Sequence, residues 1–323
     1  MSNATPITLP ISLRIGTRGS DLALYQADIT EAALEVAFPE LKLERRIIKT
    51  TGDRRTDVAL SDVAKAEGVF DKGVFIKEIE TALEEGIVDL AVHSLKDMPT
   101  VLEDGFALTA VLPRAAVRDV LVTRDGTDLK SLPAGARVGT SSVRRAKQIE
   151  FLRPDLEIVD LRGNVPTRLK KLQDGKHHDA ILLAEAGLVR LGFMLEKTLM
   201  EGPEALIGFE SLTACRLPEN EFYPAAGQGA IGLEIRWGDK QTRMLAKTIS
   251  DESTWICVKA EREFLRLLDA GCHTPVGVFS DLTDGLITMK ARVFPEEGGE
   301  PKTSEAAGND PLAVAKQLFD SLK

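Results

Sequence analysis

The stretch "SLRIGTRGSDLALYQADITEAALEVAFPELKLERRIIKT", residues 12–50, decides the fold. SLRIGTR reads as a strand ending in a polar turn. SDLALYQADITEAALEVAF then sets apolar residues at helical spacing, with Ser20 where an N-cap oxygen belongs. LKLERRIIKT returns to strand character. Downstream, GVFIKEIETALEEG is a second helix stopped by Gly86. VDLAVHSLKD is a strand running into a turn before Pro99, and FALTAVLP is another strand. This βαβαβ order predicts a mostly parallel sheet whose working residues stand at the carboxyl ends of its strands.

Near residue 118 the pattern restarts. DVLVTR, ARVGT, LEIVDL and DAILLA read as strands, with SSVRRAKQIEFLRP, NVPTRLKKLQDG and a short AGLVRLG as helices between and after them. FYPAAGQGAIGLEIR regains strand character and is expected to cross back to the first sheet, with Gln228 and its flanking glycines as a hinge. From about residue 240 the order changes to a helix (STWICVKAEREFLRLLDAG), two strands (VGVFSDL and GLITMKARVF) and a final helix (PLAVAKQLFDSLK). PEEGGEPKTSEAAGNDP, residues 295–311, reads as a polar connection. The expected architecture is α/β with a small α+β C-terminal domain. Domain 1 is expected at 1–115 plus 216–238, domain 2 at 116–215 and the third domain at 239–323.

A net charge of −9 argues against general attraction to nucleic acid or membrane. No apolar run approaches the ~20 residues that a membrane span needs. MSNATPITLPISLRIG has no basic segment followed by an apolar core, so no secretory signal is expected. The three cysteines, at 215, 257 and 272, are odd in number and form no CxxC. That spacing argues against a disulfide framework or a structural zinc site and fits a reducing cytosol. No metal is expected.

The local charge is more telling. Residues 137–176 hold ten Lys or Arg against five Asp or Glu, a net of +5 in a chain that otherwise sums to −14. A solvated helix face is the bland explanation. In VGTSSVRR, however, Thr140, Ser141 and Ser142 sit where strand gives way to helix, and Arg144 and Arg145 occupy the first turn. Cations there oppose the helix dipole, unless an anion sits at the helix start. LRGNVPTR repeats the arrangement with Arg162, Asn164 as N-cap, Pro166 and Arg168. IGTRGS adds Arg18 and Ser20. Several carboxylates or phosphates on one small ligand would suit this pattern.

VHSLKDMPT crowds His93, Ser94, Lys96 and Asp97 at a strand end. A carboxylate there serves as general acid/base or as counter-ion to a cation, or merely caps a turn with its lysine. His93 reads as a structural histidine, and His177 and His178 as solvated. Cys215 and Cys257 read as buried fillers. Cys272, in the turn of LLDAGCHTPVGV, is left open between packing and a reactive thiol.

In their order along residues 13–320, RIGTRGSDLALYQA, VDLAVHSLKDMPT, VGTSSVRRAKQI, LRGNVPTRLKKL, DAILLAEAGLVRLG, AAGQGAIGLEIR and AEREFLRLLDAGCHTPVG resemble the porphobilinogen deaminase (hydroxymethylbilane synthase) family. The resemblance implies two lobes like those of periplasmic binding proteins, with the active site in the cleft between them, plus a third domain carrying a cysteine. It implies a dipyrromethane cofactor joined to that cysteine, here Cys272, by a thioether. On this primer the family condenses four porphobilinogen units head to tail, releasing ammonia each time, and hydrolysis frees the linear tetrapyrrole of heme and porphyrin biosynthesis. Asp97 matches the catalytic aspartate, placed to assist loss of the amine, stabilise the resulting cation and collect a pyrrole proton. Lys96, Asp97, Ser142, Arg144, Arg145 and Arg168 would hold the cofactor. Arg18, Ser20, Gln26, Lys72, Arg162 and Arg190 would hold the incoming substrate or growing chain. LSDVAKAEGVFDKGVF is longer than the family's loop; Lys72 matches it and Lys65 has no settled counterpart. The resemblance further implies a monomer, in the cytoplasm that the cysteine usage suggests and without the nucleic-acid or membrane partner that the net charge disfavours. The competing class is a non-catalytic, two-lobed polycarboxylate-binding or sensor protein.

Overall fold

Strand β1 (Ser12–Arg18) leads into helix α1 (Asp21–Ala37), and the Ser20 side chain accepts a hydrogen bond from Ala23 N–H at 3.4 Å. The cap satisfies one of the donors that a helix start leaves orphaned. Ala23, Gln26, Ala27, Thr30 and Leu34 recur at three- and four-residue steps and form its buried face. The structure, a computed structural model, describes residues 11–51, 76–196, 202–269, 275–295 and 298–323. Helix α2 (Lys77–Glu84) ends two residues before Gly86, whose φ of +66° suits a helix end.

The first sheet has the order β2-β1-β3-β11-β4, with β2 at Lys42–Ile48, β3 at Leu90–Ser94, β4 at Phe106–Val111 and β11 at Ile231–Arg236. β1 runs parallel to β2 and β3, while β11 runs antiparallel to β3 and β4. Only β11, the strand returning from far along the chain, opposes the other four. Leu13, Ile15, Leu90, Val92, Leu233 and Ile235 alternate onto one face and pack under Leu34 and Leu245.

The second sheet has the order β7-β6-β8-β5-β10-β9. Its parallel part comprises β6 (Arg137–Gly139), β7 (Glu157–Val159) and β8 (Ala180–Ala184). β5 (Asp119–Thr123) and β10 (Phe209–Arg216) pair antiparallel, and β9 (Glu204–Leu206) forms the edge. Between these strands run α3 (Val143–Leu152), α4 (Val165–Gln173) and α5 (Glu185–Arg190). Helix α6 (Lys240–Thr248) follows β11 and is capped by Asp239, whose carboxylate accepts from Thr242 N–H at 2.9 Å; the sequence pattern had not singled it out.

Helix α7 (Glu252–Leu267), strands β12 (Val276–Thr283), β13 (Leu286–Val293) and β14 (Lys302–Gly308) and helix α8 (Pro311–Ser321) complete the chain. The three strands form an antiparallel meander, cored by Ala260, Phe264, Val278, Ile287, Met289, Val314 and Leu318. β14 lies within the segment expected to be a connection. Its KTSEAAG buries only Ala306, so the ladder with β13 holds it, not an apolar stripe. The chain gathers into two compact units, Met1–Arg114 with Ala230–Trp255, and Ala115–Gly229 with Ile256–Lys323; the meander belongs to the second. Among the described residues no helix is long and apolar enough to cross a membrane.

Candidate active site

In the first unit, parallel β1 and β3 end at the same edge of their sheet. β1 ends at half-buried Arg18, and Ser20 opens α1. β3 ends at Ser94 and passes into one 3-10 turn, Leu95–Asp97. Leu95 and Met98 are buried beneath this turn, which leaves Lys96 and Asp97 half-exposed above it. Gln26 joins the two strand ends: buried on α1, it donates through Nε2 to Ser94 Oγ at 2.8 Å. Arg18, Ser20, Ser94, Lys96 and Asp97 thus gather at one end of the sheet, with Gln26 buried beneath them.

In the second unit, β6 and β7 are parallel neighbours, so α3 and α4 begin at the same sheet end. Ser142 Oγ faces Arg145 N–H at 3.5 Å, and Asn164 Oδ1 accepts from Thr167 N–H at 3.0 Å. Ser141 Oγ donates to Leu161 O at 2.6 Å and ties the two helix starts together. Arg162 and Arg168 are half-buried around the second start, where Arg168 Nε donates to Gly163 O at 2.7 Å. Arg190 closes α5 and donates to Gly229 O at 2.7 Å. Glu185, heading that helix, is buried between Arg118 and Arg216, 2.7 and 2.6 Å away.

Arg144 and Arg145 turn inward. Both are buried and converge on Asp119, the first residue of a strand buried along its whole length. Arg144 Nη1 lies 2.7 Å from Oδ2, while Arg145 Nε and Nη2 lie 3.0 and 2.6 Å from Oδ1. Gln228 Nε2 adds a hydrogen bond to Oδ1 at 3.1 Å. Burial pushes Asp119 upward, but the charges and hydrogen bonds of Arg144 and Arg145 outweigh it and hold the carboxyl far below the usual carboxylate range. Two guanidinium groups share one carboxylate, so this cluster carries an uncompensated positive charge. Among the described residues Arg144 Nε and Nη2 carry no hydrogen bond. Sequence reading missed Asp119; its signal was an acidic residue opening the otherwise apolar DVLVT.

His93 is buried, with Nε2 2.9 Å from Glu234 Oε2, which fits a structural role. His178 is buried as well, contrary to the solvated loop position expected. Gly139, lacking a side chain, leaves room for its ring: a Cβ there would stand 2.5 Å from His178 Cδ2. Cys215 and Cys257 are buried free thiols, and burial pushes Cys215 upward. No cluster of His, Cys, Asp and Glu among the described residues is arranged to hold a metal. Cys272, His273, Lys65 and Lys72 lie outside the described residues.

The chain is a mixed α/β protein whose parallel strands end in capped, arginine-bearing helix starts, with two buried guanidinium groups on one carboxylate. The family model "Porphobilinogen deaminase, dipyromethane cofactor binding domain" matches residues 13–244, and "Porphobilinogen deaminase, C-terminal domain" matches 255–323. The porphobilinogen deaminase of Syntrophobacter fumaroxidans is 44% identical over 96% of this chain and 94% of its own length. That of Moorella thermoacetica is 42% identical over 97% and 93%. The chain belongs to the porphobilinogen deaminase family, whose members are transferases. Among solved structures, the Bordetella pertussis BvgS periplasmic VFT2 domain is similar at 13% identity and a TM-score of 0.40, over 77% of this chain and 93% of that one. YhfZ from Shigella flexneri is similar at 15% identity and a TM-score of 0.40, over 80% and 92%.

Proposed function

We propose that this chain is a hydroxymethylbilane synthase: it condenses four porphobilinogen molecules head to tail, with loss of ammonia, on a dipyrromethane joined to Cys272 by a thioether, and then releases the tetrapyrrole by hydrolysis. The observation that best supports the reading is the buried positive surplus at Arg144, Arg145 and Asp119, beside two capped helix starts. Two buried guanidinium groups share the single carboxylate of Asp119, and a further carboxylate would balance the remaining charge. Dipyrromethane carries an acetate and a propionate on each ring, so its chemistry fits that donor set.

Ser142, Arg144, Arg145 and Arg168 would hold cofactor carboxylates, with Lys96 acting from the β3 turn. Arg18, Ser20, Gln26, Lys72, Arg162 and Arg190 would hold the acidic side chains of substrate and growing chain. Bound dipyrromethane supplies an electron-rich pyrrole carbon as nucleophile. Asp97 would donate a proton as the substrate amine leaves, face the cationic carbon left behind and take up the pyrrole proton afterwards. Buried Leu95 and Met98 give its turn a rigid base. The wider reading is a monomer in a reducing cytosol, acting on a small molecule, with no nucleic acid or membrane as partner. The free thiols of Cys215 and Cys257 support that compartment.

Intact mass tests the proposal. The purified chain should exceed its sequence mass by two pyrrole units, and Cys272→Ser should remove the increment. An unmodified wild-type chain that still forms product would overturn the tether, and a loaded chain that releases no ammonia from porphobilinogen would favour a binding protein.

A further inference from the structure

The Arg144 guanidinium is oriented through a tyrosine backbone that the C-terminal meander grips. Gln148, one turn after Arg144 on α3, is fully buried and spends both ends of its amide on Tyr223. Its Nε2 donates to Tyr223 O at 2.9 Å, and Tyr223 N–H donates to its Oε1 at 2.7 Å. Arg144 Nη1 donates to the same carbonyl oxygen at 2.6 Å while it also binds Asp119. With one nitrogen pinned between two acceptors, the plane of a rigid guanidinium is set. Its remaining nitrogens therefore point in a direction that the Tyr223 carbonyl determines.

Tyr223 is in turn gripped by β12 and β13. Arg292 Cζ lies 4.6 Å from the Tyr223 ring centroid and 5.2 Å from that of Phe151 on α3, and Nη1 donates to Glu221 O at 2.9 Å. Gly277 is the register partner of Arg292 across the β12–β13 ladder. A Cβ at 277 would stand 2.4 Å from Tyr223 Cβ and 2.9 Å from Tyr223 O, so only glycine lets the strand press this close. Val278 N–H completes the contact by donating to Pro224 O at 2.9 Å. β12 is also the strand that begins four residues after Cys272 in the sequence.

We infer that Gln148, Gly277 and Arg292 are positioning residues: they fix the Tyr223 carbonyl and through it the guanidinium of Arg144, so that the strand following the tether also orients a cofactor-binding arginine. This rests on the reading above that Arg144 binds a cofactor carboxylate. Interactions behind a binding group are a recurrent means of preorganisation.

Gln148→Met keeps the length of the side chain and removes both hydrogen bonds, and Gly277→Ala pushes Tyr223 aside. Ile149→Val, a small cavity on the same helix, is the control for general loosening. Two readouts apply. The covalent load, by intact mass, should fall roughly tenfold in Gln148→Met and in Gly277→Ala, as it should in Arg144→Ala, and should stay complete in Ile149→Val. The Arg144 Nη signals of protein labelled with nitrogen-15 arginine should be separate in wild type and Ile149→Val, and should merge in Gln148→Met as the guanidinium begins to rotate. Separate Arg144 signals in Gln148→Met overturn the inference whatever the load. A complete load in Gln148→Met with none in Arg144→Ala also overturns it. A complete load in Arg144→Ala strikes the ligand reading of Arg144 instead, and the nitrogen signals still decide the positioning.

Discussion

Two carboxyl groups of the first unit stand in opposite situations. Asp97 is half-exposed on a turn fixed from below, where it can meet a ligand. Asp97→Ala should lower turnover by about 10²–10⁴-fold, the usual worth of a general acid/base, and leave the covalent load near complete. Near-normal ammonia release would remove Asp97 from the chemistry. Glu80, on α2, is buried, and its Oε1 has no hydrogen-bond partner among the described residues. Burial, with repulsion from Glu234 and Glu103, pushes it up to about 7. An unfolded glutamate titrates near ~4.3, so the folded state holds this proton more tightly. Its stabilising contribution is complete below the unfolded value and is lost as pH rises to about 7. Glu80→Gln keeps the neutral form at every pH. The variant should melt with wild type near pH 4, and above it from pH 7 upward. Parallel melting curves across that range would show that Glu80 is not protonated in the fold.

The helix starts are where sequence and structure agree most closely, because a cap is a local device. Ser20, Ser142 and Asn164 each stand as N-cap, and none needs a distant partner to do so. Their bonds are unequal. Asn164 receives Thr167 N–H at 3.0 Å and the Thr167 hydroxyl at 2.7 Å, whereas Ser142 is 3.5 Å from Arg145 N–H. Asn164→Ala should cost about 1 kcal/mol, and Ser142→Ala clearly less. Chemical unfolding of the two variants side by side checks the order, and equal losses would contradict it. Elements without a local signature were not legible. β14 has no apolar alternation and exists through its pairing with β13. The clustering of cations at two helix starts was legible, but the inward turn of Arg144 and Arg145 was not. It depends on Asp119, twenty-five residues upstream of Arg144, and on Gln228 and Tyr223, which only the folded chain brings to it.

At the scale of the whole molecule, the chain leaves one unit for the other at 114/115, 229/230 and 255/256. The sequence supplied glycines near the second crossing and invited the idea of a hinge; the structure gives the surroundings of Gly229. Gly229 has φ +83°, and its carbonyl accepts from Ala115 N–H at 3.1 Å and from Arg190 Nη2 at 2.7 Å. A Cβ there would stand 2.3 Å from the Ala115 carbonyl oxygen, a backbone atom that cannot rotate away. Gln228, beside it, is fully buried, with Nε2 bonded to Val117 O at 2.6 Å and to Asp119. These contacts all lie within the second unit, as an anchor for the segment before the crossing would require. Gly135 provides the comparison: its φ is +77°, yet a Cβ there meets nothing within 4 Å. Gly135→Ala should cost roughly 1 kcal/mol, the strain of a left-handed backbone alone. Gly229→Ala adds an unrelieved clash and should cost about 3 kcal/mol or more. It should also lower the covalent load, because shifting Gly229 drags Gln228 off Asp119 and loosens the carboxylate that holds Arg144 and Arg145. Urea midpoints and intact masses of the two variants read both effects. Equal midpoints would mean that the segment yields at Gly229, as a hinge would and an anchor would not.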